Sequence, residues 1–249
     1  MGKQDAAKYK ELAMKAEHTL NLMNSDYRCK SNTLFTWVDE ISRNPTLISY
    51  VEQIIGPNIH CWDTLFWIKQ PGDSKDVSFH QDATYWNFTN KHKAVTVWFA
   101  FDDVTPEHGS LEYVEGSHRV FQKRHKDVKT DNNLLMRGQT VDVEVPKERV
   151  KTSVPAGNIL IHSPYMIHGS SKNNTDTPRV AMGMIFASTE CKPVLKISPE
   201  STVMVAGTDE FNYMIHDPRP SGVWEIDVAN WQAAYDRQHL NYYKMEQDV

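Results

Sequence analysis

The chain has 249 residues, 40 % of them hydrophobic and 24 % charged, which describes an ordinary folded protein and excludes a disordered or fibrous one. Its formal charge of −5 offers no basic stripe for nucleic acid. No window approaches the roughly 18 consecutive apolar residues of a membrane span, and Cys29, Cys61 and Cys191 stand too far apart for a disulfide framework or a structural zinc site.

The N-terminus lacks the apolar core of a signal peptide. Met1-Gly2 opens as a myristoylation signal does, but Ala6 stands where that motif has Ser or Thr. A cytoplasmic protein is expected, without a nucleic-acid or membrane partner. Tyr9, Leu12, Ala13, Ala16 and Leu20 recur at helical steps. A second helix is predicted from Pro45, with Asn44 as its N-cap, an apolar set of Leu47, Ile48, Val51, Ile54 and Ile55, and Gly56-Pro57 as its stop.

Beyond Pro57 the texture changes to short β-branched or aromatic runs bounded by turn residues: Cys61 to Ile68, Ala94 to Phe101, Ile159 to His162 and Arg179 to Ala187. Phe121 to Asn133 is dense in Lys, Arg, Asp and Asn and reads as an exposed loop, and Asn230 to Tyr243 reads as a last helix. No repeat, low-complexity tract or linker interrupts the chain. The expectation is one mainly β domain: helices to about residue 57, a sandwich or jelly roll over about 58–205, and an extension over about 206–249.

"SFHQDATYWNF" sets His80 and Asp82 two residues apart in an extended, aromatic context. On a strand, residues i and i+2 project from one face, so both could reach a single ion, with a third ligand from a distant strand. Two histidines and a carboxylate on one face of an octahedron leave three positions open, the arrangement of non-haem iron oxygenases. Roughly one HxD is expected by chance among eleven histidines, and His125-Lys126-Asp127, inside the charged run, reads as a solvated pair. In "HSPYMIHGSSKNNTDTPRVAMGMIF", His168 sits on an apolar stretch, and a polar turn leads to Arg179. A guanidinium there could clamp a carboxylate with two hydrogen bonds. From spacing alone, Arg179 serves equally as a surface arginine at a strand start.

"HQDATYW", "AVTVWFAFDDVTPEHGSLEYVEGSHR" and "HGSSKNNTDTPR", in this order, resemble the signature blocks of the phytanoyl-CoA dioxygenase family of iron(II)/2-oxoglutarate oxygenases. The resemblance runs from about Ile59 to Ala187, and weakly through "VAGTDEF" and "DPRP". It implies a double-stranded β-helix (jelly-roll) core with flanking helices, and His80, Asp82 and His168 as ligands of Fe(II). It also implies Arg179 on the distal carboxylate of 2-oxoglutarate, with Trp98 and Ser170, and Thr96 on the same strand face as Trp98, near that co-substrate. The implied activity is hydroxylation of a small metabolite by O2, with release of succinate and carbon dioxide. Halogenases of the family have Ala or Gly in place of Asp82. The rivals are a non-catalytic binder of 2-oxoglutarate or a metabolite on the same fold, and a zinc hydrolase, for which no general base is evident.

Other residues are read more plainly. His118 is expected to position a loop, His162 to be a hydrogen-bonded core histidine, and His60, His108 and His216 carry no partner spacing. Trp62, Trp67, Tyr85, Trp86 and Phe88 are candidates for a substrate pocket, with packing in the β core as the competing use. Aromatic faces there would suit an amine or a flat apolar group.

Overall fold

The computed structural model describes residues 1–128, 130–194, 200–221 and 227–245, with side chains to residue 237 in the last segment. The front of the chain is helical: α1 (Lys3–Leu20), α2 (Ser31–Leu34), α3 (Thr36–Ser42) and α4 (Pro45–Ile55). Asn44 caps α4 as expected, its Oδ1 accepting from the backbone N–H groups of Thr46 and Leu47 at 3.1 and 3.2 Å. Leu47, Ile48, Val51 and Ile55 are buried, whereas Ile54, placed in the apolar set by the sequence, is 54 % exposed. It falls outside the roughly 100°-wide buried stripe that the other four define.

The strands follow as β1 (Ile59–Lys69), β2 (Val77–His80), β3 (Ala94–Ala100), β4 (Leu111–Tyr113), β5 (His125–Asp127), β6 (Gln139–Val141), β7 (Val150–Lys151), β8 (Ile159–His162), β9 (His168–Ser170), β10 (Arg179–Ser188), β11 (Ser201–Ala206) and β12 (Ile215–His216). Helix α5 (Val228–Met245) closes the described chain. One sheet has the order β12-β11-β1-β10-β3-β8, a second β2-β9-β4-β7, and β5 and β6 form a small third. This is the expected mainly β, jelly-roll architecture with flanking helices. No described helix is long and apolar enough to cross a membrane.

The chain divides into two compact units. The first comprises Met1–Glu17, Trp67–Trp86 and Trp98–Met182, the second His18–Phe66, Asn87–Val97 and Gly183–Val249. In the first, β2, β9, β4 and β7 pair antiparallel, with His80 opposite His168 and Tyr113 opposite His168 on the other side. Trp98 and Ala100 of β3, Ala181 of β10, Leu111 of β4, Val104 and Val154 form an apolar layer, with Trp67, Tyr113 and Leu160 packed against it. Removing a ring such as Trp98 from such a layer costs about 3–5 kcal/mol. Ala6, Ala13 and Ala16 are the buried positions of α1, which the ion pairs Lys10–Asp102 and Lys3–Asp103 tie to this unit.

In the second unit the rings of Phe35, Trp37 and Phe66 pack together at 5.7–6.4 Å. Trp231 of α5 stands 4.5 Å from Tyr27, and its indole N–H donates to the Cys29 carbonyl at 2.9 Å. Lys30 is fully buried, yet its ammonium donates to the carbonyls of Trp62 and Ser201, both at 2.7 Å.

The segment Phe121 to Asn133 is not wholly the loop its charges suggest. His125–Asp127 forms β5 and pairs with Gln139–Val141. The charges of Lys126 and Asp127 lie on exposed positions of a short edge hairpin, where they are compatible with strand.

Candidate metal and co-substrate site

His80 is the last residue of β2 and His168 the first of β9, and the antiparallel register sets them side by side, with ring centroids 4.3 Å apart. The close approach of these strands requires Gly169: a Cβ there would stand 2.7 Å from the Val77 carbonyl oxygen. Asp82 is not on the strand, as the HxD reading assumed. It opens the short 3-10 helix Asp82–Thr84, after an extended Gln81 with φ −119° and ψ 128°. One extended residue carries the carboxylate back towards the histidines before the chain turns. The segment is fixed from behind, since the Gln81 side chain donates to the Tyr165 carbonyl at 2.7 Å and accepts from the Lys123 N–H at 2.6 Å.

The donor atoms converge. Asp82 Oδ1 lies 3.3 Å from His80 Nε2 and 3.7 Å from His168 Nε2, and the three ligand atoms fall within 4.8 Å of one another. His80 Nδ1 donates to the Ser78 carbonyl at 2.8 Å, and His168 Nδ1 to the Met166 carbonyl at 2.9 Å. With Nδ1 protonated on both rings, each Nε2 keeps its lone pair for an ion, the tautomer a metal ligand needs. The second oxygen of Asp82 is engaged separately. His162 Nε2 donates to Oδ2 at 3.1 Å, and the Tyr113 hydroxyl donates to His162 Nδ1 at 3.0 Å.

Electrostatics follow from this packing. Burial alone would raise the Asp82 pKa, but the imidazoles packed around it, His168 foremost, then His162, whose Nε2–H donates to it, and His80, outweigh burial and hold the carboxyl well below its usual range. Burial, reinforced by His80, pushes His168 well below the usual imidazole value, so it is neutral, as a ligand must be.

A cationic corner lies in the same unit. Arg179, the first residue of β10, is 1 % exposed, and its Nε and Nη2 have no hydrogen-bond partner. Its guanidinium stands 5.6 Å from the ring centroid of Trp98, a cation–π contact that orients it. Burial lowers its pKa to about 10, still charged at neutral pH. Lys69, at the end of β1, donates to Ser170 Oγ at 2.7 Å and to the Ser170 carbonyl at 3.3 Å. Burial, then the neighbouring Arg179, pushes Lys69 down to about 6. Orphaned N–H groups on a buried guanidinium are costly unless an anion meets them, so a carboxylate fits here. The turn between β9 and β10 is set by Asn173, whose amide donates to the carbonyls of Lys69, Gln70 and Thr177.

The family model described as phytanoyl-CoA dioxygenase (PhyH) matches residues 4–181, most of the chain. The protein belongs to the phytanoyl-CoA dioxygenase family. Human peroxisomal phytanoyl-CoA dioxygenase is 32 % identical over 152 residues, which cover 59 % of this chain and 45 % of that protein. A probable alpha-ketoglutarate-dependent hypophosphite dioxygenase of Stutzerimonas stutzeri is 23 % identical over 163 residues, 65 % of this chain and 56 % of that protein. The chain thus spans about half the length of the curated relatives it matches. Among solved structures, the apo form of the non-heme monooxygenase ThoJ superposes with a TM-score of 0.88 at 21 % identity, covering 100 % of this chain and 94 % of that one. The epimerase SnoN, in complex with Fe3+, alpha ketoglutarate and nogalamycin RO, gives 0.64 at 16 % identity, covering 89 % and 88 %. At these identities the solved structures speak for the shared fold.

Within this phytanoyl-CoA dioxygenase family member, the first unit brings together His80, Asp82, His168, Ser170, Arg179 and Trp98. Thr96 is buried on β3 in the second unit. Of the aromatic candidates, Trp67, Tyr85 and Trp86 lie in the first unit and Trp62 and Phe88 in the second. Tyr85 meets His80 edge-on at 5.7 Å and carries the Arg137 guanidinium 5.5 Å from its centroid. Trp86 is buried, and Trp67 packs against the apolar layer. Trp62 and Phe88 pack edge-to-face at 5.4 Å, and the Trp62 indole donates to Glu200 at 3.3 Å.

His162 is the hydrogen-bonded buried histidine the sequence suggested, but its partner is Asp82 itself. In "EGSHR" the positioning residue is Ser117, whose Oγ accepts from the Ile167 N–H at 2.9 Å just before His168, whereas His118 is exposed. His125 is not the solvated residue its charged surroundings suggested: it is half-buried, and its Nε2 accepts from the Gln81 N–H at 3.0 Å. Lys69 was missed altogether. A lone lysine ending the apolar run "CWDTLFWIK" was the available signal, since a charged side chain there must be exposed or paired.

Proposed function

We propose that this chain is an iron(II)- and 2-oxoglutarate-dependent dioxygenase that hydroxylates a small molecule, with His80, Asp82 and His168 holding the iron. The observation that carries the reading is the presence, within one compact unit, of a His–Asp–His cluster preset in its ligand tautomer and a buried Arg179 with two unpartnered N–H positions. Arg179 would clamp the distal carboxylate of 2-oxoglutarate, with Lys69 and Ser170 beside it and Trp98 holding the guanidinium plane. Thr96 is retained as a further co-substrate residue by the resemblance of its sequence block. Iron(II) bound at the cluster supplies the oxidative decarboxylation of 2-oxoglutarate with O2, giving succinate, carbon dioxide and the oxidation of the substrate.

The protein's own part is binding and orientation. His162 and Tyr113 hold the far oxygen of Asp82 so that Oδ1 faces both imidazoles. Because Asp82 fills the position a halide would need, hydroxylation is favoured over halogenation. Tyr85, beside His80, is our first candidate for substrate contact, and the Arg137 guanidinium over its ring favours an apolar or anionic group there over an amine. Trp67 and Trp86 are second-rank candidates, and Trp62 and Phe88 are supported less, given their mutual packing. Since β1, β3 and β10 each run through both units, we read the chain as one domain. The three buried, free cysteines favour a reducing, cytoplasmic setting.

The test is a screen of small metabolites for substrate-dependent succinate formation with iron(II), 2-oxoglutarate and O2, alongside anaerobic binding of both ligands. Tight binding of iron(II) and 2-oxoglutarate, with succinate released in step with an oxygenated product, is expected. A folded protein that binds neither ligand would overturn the reading.

A further inference from the structure

A second cluster of metal-ligand type lies in the other unit and is formed by His60, Asp209 and His216, whose donor atoms also fall within 4.8 Å of one another. β11 organises it. His216 of β12 pairs with Thr202 on one side of β11, and His60 of β1 pairs with Met204 on the other. Thr202 and Met204 are two residues apart on one strand and so face the same way, as do the residues registered against them. The register shifts between Ile59 and His60, a bulge of the kind that re-aims a side chain. The two imidazoles meet edge to face with centroids 5.2 Å apart.

The carboxylate is preset. Asp209 Oδ1 accepts from the backbone N–H groups of Phe211 and Asn212 at 2.9 and 3.0 Å. Oδ2 then lies 3.0 Å from His216 Nε2 and 3.6 Å from His60 Nε2. The approach to Asp209 is fixed by Gly207, at φ +71°, where a Cβ would stand 2.3 Å from Asn58 Oδ1. The same Asn58 oxygen accepts from the Thr208 N–H at 2.9 Å.

His60 points to a ligand independently of the cluster. It is 0 % exposed, and neither ring nitrogen has a hydrogen-bond partner. Buried imidazole nitrogens are almost always satisfied, so an orphan aimed at a carboxylate and a second imidazole calls for a missing partner. We propose that His60, Asp209 and His216 bind a divalent transition-metal ion, with zinc as the best fit. Ligands about 2.0–2.1 Å from a tetrahedral ion stand about 3.3–3.4 Å apart, between the two nitrogen–oxygen distances seen here. Two imidazoles and one carboxylate at tetrahedral spacing suit zinc better than magnesium or calcium, which prefer all-oxygen ligands. His216, with 38 % of its side chain exposed, leaves a path for the ion and for water in the fourth position. The ion clips the β11–β12 connection to β1. Asp209 and His216 lie beyond residues 4–181 and His60 within them, so two of the three donors come from outside the region that the family model matches.

The test counts cobalt(II), a spectroscopic substitute for zinc, bound per chain after metal stripping and reloading, using visible absorption and elemental analysis. Two ions are expected for the wild type, one for Asp82→Ala, one for His216→Ala, and none for the double variant. His216 is exposed, so its replacement leaves the fold intact, and Asp209→Asn provides a second variant with the hydrogen-bond geometry kept. Asp82→Ala removes the first cluster from the count, so failure there and failure here are read separately. No cobalt on Asp82→Ala, or an ion retained by the Asp82→Ala/His216→Ala chain, overturns the proposal.

Discussion

The two clusters of this chain share their donors, two imidazoles and one carboxylate, and differ in what stands behind them. At His80 and His168 each Nδ1 is tied to a backbone carbonyl two residues back, and the spare oxygen of Asp82 is held by His162 and through it by Tyr113. The unit that contains them also buries Arg179 and Lys69. At His60 the Nδ1 is unpaired, and the spare oxygen of Asp209 is held by backbone N–H groups of its own turn. The lesson is one of division of labour. Donor type and spacing suffice to hold an ion, whereas catalysis needs an outer layer that fixes ligand orientation and a charged partner for the co-substrate.

The sharpest way to break the comparison is to remove the carboxylate. Asp82→Ala should lower iron(II) affinity by more than about 100-fold, since loss of an outer-layer partner alone costs about 10–100-fold. Substrate-dependent succinate should fall to background with it. Anaerobic iron titration followed by a succinate assay checks both, and wild-type affinity in a folded variant would remove Asp82 from the ligand set.

The charged partner is tested next. Arg179→Ala should weaken 2-oxoglutarate binding roughly 10- to 100-fold, because a charge-assisted contact contributes about 1.5–3 kcal/mol and each 1.4 kcal/mol is tenfold. Iron affinity should change little. Titration of 2-oxoglutarate into the iron-loaded variant reads the effect directly. Unchanged affinity would assign the distal carboxylate to another residue.

A smaller change sharpens the contrast in outer layers. His162→Leu keeps the bulk but leaves Asp82 Oδ2 without its donor, so iron affinity should fall about tenfold, with Tyr113→Phe following in the same direction by less. Iron dissociation rates for the pair measure this. Equal rates in wild type and His162→Leu would make the Tyr113–His162–Asp82 chain a matter of packing alone.

The sequence made the inner layer of the first site legible and little of the outer one, for a physical reason. Candidate ligands are marked by residue type and local spacing: His80 and Asp82 fall in one short segment, and His168 and Arg179 flank one polar turn. The outer layer is made of long-range pairs. His162 reaches Asp82 across 80 positions, Lys69 reaches Ser170 across 101, and His125 reaches Gln81 across 44. No local pattern encodes those separations, so a charged neighbourhood made His125 look solvated, and nothing beside Lys69 in the sequence singled it out. The same limit hid His60, Asp209 and His216, which have no motif spacing and meet only through the register of β1, β11 and β12. The fold fared better because alternation, capping and turn residues are local: Asn44 and Pro45 placed α4, and the Ile159–His162 strand appears with the bounds its residues suggest.

The finest test concerns Lys69. Burial, with Arg179 beside it, lowers its pKa from 10.5 to about 6, so near pH 7.5 the free protein carries it mostly neutral. A dianionic co-substrate seated by Arg179 offsets that guanidinium's repulsion and adds an attraction of its own, and both raise the Lys69 pKa. The sign follows: the bound state holds more protons than the free state at any pH between about 6 and the raised value. Binding of 2-oxoglutarate should therefore take up a fraction of a proton near neutrality, and its affinity should decline as pH rises through that window, by less than about tenfold per pH unit. Calorimetry in buffers of differing ionisation enthalpy measures the uptake, and Lys69→Met should abolish it while Arg179 still binds the carboxylate. Zero uptake in the wild type would mean that the ammonium is already charged in the free protein, held by Ser170 and the Ser171 carbonyl. Arg179 and Lys69 would then act as a permanent pair of cations, and the first site would differ from the second in fixed charge and not in a proton taken up on demand.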